Sequence, residues 1–251
     1  MSESQSVSAQ LTLFDEFDET YEDACARGLA LAGESRDYFA AARLDYTERW
    51  LRNLQVHSPE HVVDFGCGAG HSTPHLLQIF PQACILGLDV SKKAIARAQH
   101  VYGGRKVTFE VTSDHHPGQD QHLVYCNGVF HHIKPDERSY WAEWIYGTLA
   151  PGGYLALWEN NPWNPGTRMV MQRIPFDRDA VPLSSTESRR LLLKSGFELI
   201  GTRYRFYFPH CLRHLRFVER YAVHLPLGAQ YCVLVRKPMA GGLVKVGVSS
   251  R

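Results

Sequence analysis

Two patterns of apolar and polar positions alternate along most of the chain after residue 60. Short apolar runs bounded by turn-forming residues predict buried strands, and longer stretches with apolar residues at helical spacing predict amphipathic helices. The pattern predicts strands over 61–65, 83–88, 106–111, 122–126 and 154–158, and helices over 72–80, 91–101 and 140–149. Strands that alternate with helices form parallel sheets covered by helices on both faces, so we expect an α/β architecture.

The segments on either side of this alternation have other patterns. Aromatic residues recur at helical spacing before residue 55, for example at Phe14, Phe17 and Tyr21, and predict a helical cap over 1–55. Residues 160–184 are rich in Pro, Asn and Arg and too long for an ordinary connection, which predicts an ordered lid. The main domain is expected over 56–238, with a helical insertion over 209–226, and a flexible tail is expected over 239–251. Within the main domain the pattern predicts a helix over 185–195 that ends at Gly196, and strands over 197–208 and 230–236. It predicts an amphipathic helix over 210–224 in the insertion.

The composition is that of a soluble globular protein, with 251 residues, 44% hydrophobic, 21% charged and a formal net charge of +1. Balanced charge argues against a nucleic-acid partner held by bulk charge. The polar N-terminus resembles no secretion signal and no apolar run is long enough to cross a bilayer, so we expect a cytoplasmic protein without an integral membrane segment. Six scattered cysteines without a C-x-x-C pair predict buried reduced thiols rather than a zinc site or disulfides.

A glycine-rich loop, D-x-G-x-G-x-G over residues 64–70, follows the first predicted strand. Its glycines allow a sharp turn and a close approach of the backbone to a ligand. The amides at the start of the next helix favour a carboxylate, and Asp64 can accept a hydrogen bond from a cationic amino group. Asp89 closes the second strand, where an acidic side chain can bind both hydroxyls of a ribose.

A nicotinamide-binding enzyme is the main alternative for this loop. Its fingerprint, G-x-G-x-x-G, would need a glycine at position 71, where the chain has His71. An acidic residue ahead of the glycines also suits an ammonium group better than a pyrophosphate. A glycine loop that binds no ligand is the remaining alternative.

The chain resembles the class I S-adenosylmethionine-dependent methyltransferase family of the small-molecule type. Residues 62–70 are similar to its first motif, residues 87–91 to its second, and residues 149–153 to the turn after its fourth helix. The resemblance implies a doubly wound, mostly parallel, Rossmann-like sheet of seven strands with an antiparallel last strand, and S-adenosyl-L-methionine as cofactor. The expected cofactor contacts are Asp64, Gly66, Cys67, Gly68, Gly70, Asp89, Val90 and Asn127, with Ser113 and Asp114 at the adenine and Tyr38 and Arg43 at the cofactor carboxylate.

Three residues could act as a general base. Methyl transfer is an in-line displacement at an activated carbon, so a base is needed only where the acceptor must lose a proton. His131 and His132 follow the fourth strand and Glu159 ends the fifth, at the mouth of the expected cofactor site. The alternative is that the histidines only cap a helix or bind backbone. We expect no metal site, because adjacent side chains diverge and no carboxylate or third histidine stands at helical spacing.

Indole, amide and guanidinium groups follow the fifth strand and suit a sugar or a planar aromatic acceptor. The expected acceptor contacts are Trp158, Asn160, Asn161, Trp163, Arg168 and, from the insertion, Arg213. Alternatively these residues only build turns and a solvated face, or the basic insertion recognises a phosphate or carboxylate on the acceptor or an anionic membrane surface. We expect methyl transfer to a hydroxyl of a small molecule. An N- or C-methyltransferase, or a protein that binds the cofactor without methylating, remains open.

Overall fold

The computed structural model describes residues 28, 33–177 and 180–239. Its strands are β1 (His61–Phe65), β2 (Cys84–Asp89), β3 (Val107–Val111), β4 (Gln121–Asn127), β5 (Leu149–Asn160), β6 (Glu198–Arg205) and β7 (Gln230–Arg236). They form one sheet in the order β3-β2-β1-β4-β5-β7-β6, and β7 runs antiparallel to both of its neighbours. Four strand pairs are parallel: β1–β2, β1–β4, β2–β3 and β4–β5. The mostly parallel sheet with an antiparallel last strand confirms the predicted fold class.

The helices that cover the sheet begin and end where the sequence provides signals. They are α1 (Arg36–Asn53), α2 (Thr73–Ile79), α3 (Lys92–Tyr102), α4 (Arg138–Thr148), α5 (Pro165–Arg173), α6 (Ser185–Lys194) and α7 (Glu219–Ala222). The Ser91 hydroxyl accepts from the Ala94 N–H at 3.1 Å, as an N-cap does. Gly196 ends α6 with φ +95°, the left-handed conformation expected of a helix stop.

The predicted cap, lid and tail are described only in part. Helix α1 lies within the predicted cap, whereas Phe14, Phe17, Tyr21 and residues 240–251 lie outside the described residues. The lid contains α5 and a short 3₁₀ turn, Pro175–Asp177, so it has secondary structure of its own. The side chain of Asn164 starts α5 by accepting from the Thr167 N–H at 2.9 Å.

The insertion between β6 and β7 does not form the predicted helix over 210–224. It forms a 3₁₀ segment, His210–Val218, with a kink at Leu212, and then the single turn of α7. None of residues 210–218 is buried, so tertiary packing does not hold the segment in an α-helix. The sequence pattern therefore predicted an exposed helical segment correctly, but the segment is a 3₁₀ helix and not an α-helix.

Trp158 lies in the core and not in the acceptor site predicted for it. Its side chain is fully buried on the face of the sheet that α1 covers, beside Leu44 and Leu76. Its indole N–H donates to the Thr47 hydroxyl of α1 at 3.0 Å. A side chain on the buried face of β5 cannot reach a ligand, so this part of the acceptor prediction is wrong.

The prediction of buried reduced thiols is confirmed for three of the cysteines. Cys67, Cys126 and Cys232 are buried and free, whereas Cys84 and Cys211 are free but exposed. Cys25 lies outside the described residues.

We expect Thr47→Val to lower the free energy of unfolding by about 1–3 kcal/mol, because it leaves the buried indole N–H of Trp158 without its acceptor. Thr47→Ser is the matched control: it keeps the hydroxyl and loses one methyl group, for a cost of about 1 kcal/mol or less. Urea unfolding of both variants measures the difference. Equal destabilisation by the two substitutions would show that the hydrogen bond contributes nothing.

Candidate active site

The glycine loop after β1 forms an open cradle at the carboxyl ends of the parallel strands. Gly66, Gly68 and Gly70 have φ of +76°, +53° and +81°, which other residues rarely adopt. A Cβ on Gly66 would lie 2.3 Å from Cγ2 of Val129, whereas a Cβ on Gly68 would meet no described atom within 4 Å. Gly66 is therefore required for close packing, and Gly68 leaves space for a ligand.

The cradle opens into a cavity of about 260 Å³, here called the smaller cavity. Most of the predicted cofactor contacts line it, namely Arg43, Asp64, Gly66, Cys67, Gly68, Asp89, Val90 and Asn127. Gly70 faces Tyr102 of α3 and only shapes the turn. The sequence analysis missed Arg36 and Thr112, which also line this cavity.

Three other predicted cofactor contacts do not reach the smaller cavity. Ser113 and Asp114 are exposed and bond to each other, Oγ to Oδ1, at 2.9 Å, so their positions do not support a contact with adenine. Their neighbour Thr112 is the residue that faces the cavity. Tyr38 lines a second cavity, where its hydroxyl accepts from Arg216 Nη1 at 2.8 Å.

Opposite charges without mutual hydrogen bonds lie on the wall of the smaller cavity. Asp64 is buried, and its Oδ2 has no hydrogen-bond partner in the described part of the chain. Burial, together with the charge of Asp89, raises the pKa of Asp64 to about 7. Arg43 is also buried, and its described partners are the neutral Tyr125 hydroxyl and the Gln230 amide oxygen. Buried groups of this kind favour a ligand that carries both an ammonium and a carboxylate.

Asp89 is held in place by the backbone. Its Oδ2 accepts from the Gly68 N–H at 2.8 Å and its Oδ1 from the Ser91 N–H at 2.9 Å. Each carboxylate oxygen can accept more than one hydrogen bond, so Asp89 can still bind hydroxyl groups in the cavity. These two hydrogen bonds join Asp89 to the glycine loop and to the start of α3. They fix the orientation of the carboxylate that we expect to bind the ribose hydroxyls.

A larger cavity of about 430 Å³ lies next to the smaller one. The two share a wall formed by Arg36, Arg43, Asn127, Gly128 and His132. Apolar side chains dominate the rest of the larger cavity: Phe39, Met169, Val170, Met171, Ile174, Phe206 and Phe208. A ligand in one cavity would therefore meet a ligand in the other at the shared wall.

A cluster of two histidines and two carboxylates borders the larger cavity. His131 Nδ1 donates to Glu159 Oε2 at 2.6 Å, and the other oxygen of Glu159 accepts from the N–H groups of Val129 and Phe130 at 3.1 and 2.7 Å. Asp177 Oδ1 lies 3.6 Å from His131 Nε2 and 3.3 Å from His132 Nε2. Asp177 belongs to the lid and was not predicted from the sequence.

The cluster holds its two histidines in different charge states. Burial alone would lower the pKa of His131, but the charge of Glu159 and hydrogen bonds with Asp177 and Glu159 raise it to about 10. Burial and the neighbouring charge of His131 lower the pKa of His132. Burial opposes ionisation of Asp177, yet hydrogen bonds from both histidines lower its pKa to about 2. At neutral pH His131 is therefore cationic and His132 is neutral.

This geometry corrects two expectations about the cluster. Glu159 is buried and both of its oxygens already accept hydrogen bonds, so it positions His131 and is not a base for an acceptor. The two rings do not diverge: their centroids are 4.1 Å apart, and Asp177 supplies a carboxylate. The polar atoms of His131, His132 and Asp177 lie within 4.8 Å of one another but are already paired. The absence of a metal stays a prediction.

Asn160 is the one predicted acceptor contact that lines the larger cavity. Its side-chain oxygen accepts from Gln230 Nε2 at 3.0 Å. Asn161 is buried and donates to the Pro226 and Gly228 carbonyls, so it anchors a loop. Trp163, Arg168 and Arg213 are exposed and lie outside the cavity wall, to which the insertion contributes Arg216 instead.

Comparisons with known proteins agree with this geometry. A family model for a methyltransferase domain matches residues 63–155. A trans-aconitate 2-methyltransferase from Rhodopseudomonas palustris is 29% identical over 148 residues, which cover 58% of this chain and 57% of that protein. One from Yersinia pseudotuberculosis is 27% identical over 169 residues, which cover 65% and 64%. The chain thus matches less than two thirds of the length of these relatives.

The fold is also found in solved structures. An S-adenosylmethionine-dependent methyltransferase from Mesorhizobium loti superposes with a TM-score of 0.53 at 20% identity, over 77% of this chain and all of that one. Residues 63–155 thus match a methyltransferase domain, and the chain shares the fold of S-adenosylmethionine-dependent methyltransferases. S-adenosylmethionine is the cofactor of the methyltransferase that shares this fold.

The residues of the smaller cavity fit this cofactor of the methyltransferase family. Asp64, with its unbonded Oδ2, would hold the ammonium group, and Arg43 the carboxylate. Asp89 would hold the ribose hydroxyls, and the space above Gly68 admits the ligand to the loop. When bound, the cofactor supplies a methyl group activated on a sulfonium centre.

We expect cofactor affinity to rise with pH between pH 5.5 and 7, because an ammonium group binds the ionised form of Asp64, whose pKa is about 7. Asp64→Asn removes the titrating carboxylate, so its affinity should be lower at pH 7 by about tenfold or more and nearly independent of pH over this range. Calorimetric titration with S-adenosylmethionine measures both effects. Asp114→Asn, at an exposed carboxylate outside the cavity, is the control and should behave as the parent. An unchanged pH dependence in Asp64→Asn would contradict the assignment.

Proposed function

We propose that the chain transfers the methyl group of S-adenosylmethionine to an oxygen atom, by preference a hydroxyl, of a small molecule bound in the larger cavity. The observation that carries the proposal is the position of His132. This neutral imidazole lies on the wall shared by the two cavities, where the transferred methyl group and the acceptor atom must meet. The relatives are methyltransferases of a small molecule, trans-aconitate, and this supports the reaction class.

His132 is the general base in this proposal. A neutral imidazole at the acceptor can take the proton that a hydroxyl loses as its oxygen is methylated. Asp177, 3.3 Å from His132 Nε2, stabilises the imidazolium that forms. His131 and Glu159 act as positioning residues, since their mutual hydrogen bond fixes the loop that carries His132.

We expect His132→Gln to lower kcat with hydroxyl acceptors by about 10²–10⁴-fold, because glutamine can still bond to Asp177 but cannot accept the proton. The pKa of His132 is lowered, so the activity of the parent should fall with decreasing pH only below the ordinary histidine value of about 6.5. Formation of S-adenosylhomocysteine with a panel of phenols and sugars measures the rate. Calorimetry with S-adenosylmethionine verifies that the variant still binds the cofactor.

His57→Gln, at an exposed histidine before β1, is the matched control and should keep the parent rate. A His132→Gln variant within twofold of the parent would exclude His132 as the base. Cofactor binding without methylation of any acceptor would instead favour a protein that binds the cofactor but does not transfer its methyl group.

A carboxylate acceptor is the second candidate, and the cations of the larger cavity favour it. Arg36 and Arg216 line this cavity. Glu34 and the Tyr38 hydroxyl hold Arg216 Nη1, each at 2.8 Å. The relatives are named for trans-aconitate, a compound with three carboxylates, so their acceptor is anionic. A carboxylate is already ionised and needs no base, which separates the two candidates.

For an anionic acceptor we expect Arg216→Gln to raise KM by about tenfold or more, because it removes a charge-assisted hydrogen bond to the acceptor. Steady-state kinetics with trans-aconitate as the probe measures the change. Arg213→Gln, three residues away and outside the cavity wall, is the control and should leave KM unchanged. The carboxylate candidate fails if Arg216→Gln leaves KM unchanged, or if His132→Gln abolishes turnover of this probe.

A further inference from the structure

The insertion between β6 and β7 exposes large apolar side chains. Phe217 and Tyr221 are 65% and 71% exposed, and Leu225 and Leu227 are 52% and 64% exposed. None of residues 210–218 is buried. Apolar side chains scattered singly over a surface are ordinary, but several within one short segment mark an interaction surface.

The exposed charges of this segment are all basic. Arg213 and Arg220 are exposed. The one acid between residues 209 and 228, Glu219, is buried and accepts from the N–H groups of Tyr207 and Phe208. In the described part of the chain neither Arg213 nor Arg220 forms an ion pair with a carboxylate. The segment therefore combines exposed apolar groups with a net positive charge.

The lid extends this surface. Trp163 and Met169 are 58% and 49% exposed. The start of α5 is tied to the insertion, because Asn164 Nδ2 donates to the Leu227 carbonyl at 2.7 Å. We call residues 163, 169 and 212–227 the apolar-basic surface.

The apolar-basic surface adjoins the larger cavity. Met169 is both exposed and part of the cavity wall, and the insertion adds Phe208, Pro209 and Arg216 to that wall. Most of the wall is apolar. A small molecule with an apolar body would therefore enter the larger cavity from the side that carries this surface.

We propose that the apolar-basic surface docks on an anionic membrane surface. Aromatic and leucine side chains insert at the boundary between headgroups and acyl chains, while arginines bind anionic headgroups, and this segment offers both. No helix in the part of the chain that the structure describes is long and apolar enough to span a bilayer, so the contact is peripheral. Docking brings the larger cavity to the bilayer, from which acceptors with apolar bodies are taken.

The experiment is co-sedimentation of the full chain with vesicles of phosphatidylcholine, alone or mixed with phosphatidylglycerol. We expect binding to the mixed vesicles only, and weaker binding as salt is raised. Arg213→Glu combined with Arg220→Glu should reduce the affinity by about tenfold or more. Phe217→Ser combined with Tyr221→Ser should reduce it as well, through lost apolar insertion.

Matched controls come from another part of the surface. Tyr140→Ser changes an aromatic side chain that is 61% exposed on α4, and Arg105→Glu reverses an exposed charge before β3. Both should bind vesicles as the parent does, and S-adenosylmethionine titration verifies that every variant is folded. Absence of binding to the mixed vesicles, equal binding to both vesicle types, or equal losses in the controls would each overturn the proposal. The proposal would also fail if the chain bound no vesicles and light scattering showed that it forms a dimer. The Phe217 and Tyr221 substitutions would then break this dimer.

Discussion

The buried carboxylate of Glu159 holds together the parts of the site that come from different elements. It sits at the end of β5, yet it bonds to two backbone N–H groups and one imidazole of the loop after β4. Without it, these donors would be buried without partners, which is costly in a low-dielectric interior. The orientation of His131, the position of His132 beside it and the contact of both with Asp177 all follow from this one side chain.

The second constraint is that the two cavities meet at a shared wall. Arg43 belongs to both, and it is held there by Tyr125 of β4 and Gln230 of β7. The same helix, α1, supplies Thr47, which bonds to the buried Trp158. Packing of the cap on the sheet therefore fixes a charged group at the point where cofactor and acceptor must approach each other.

The apolar pattern predicted the strands and the glycine loop well, because both depend on local sequence. The sequence-based predictions were wrong where the tertiary structure determines the position of a side chain. Trp158 was expected at a ligand, but the alternation of side chains along β5 directs it into the core. His131 and His132 were expected to diverge, but they lie in a turn after Gly128, where strand and helix directions do not apply. Asp177 carried no local signal, since it joins the site only through the course of the lid.

The contribution of Asp177 follows from the charges of the cluster. Asp177 Oδ1 lies 3.6 Å from His131 Nε2 and 3.3 Å from His132 Nε2, so one carboxylate faces both imidazoles. Burial and the charge of His131 lower the pKa of His132, whereas Asp177 raises it, so Asp177 offsets part of the cost of a proton that His132 takes from an acceptor hydroxyl. The lid supplies Asp177 and also bonds directly to the loop, through the Val181 N–H and the His131 carbonyl at 2.9 Å. The lid thus holds Asp177 beside the two histidines and is joined by the backbone to the loop that carries them.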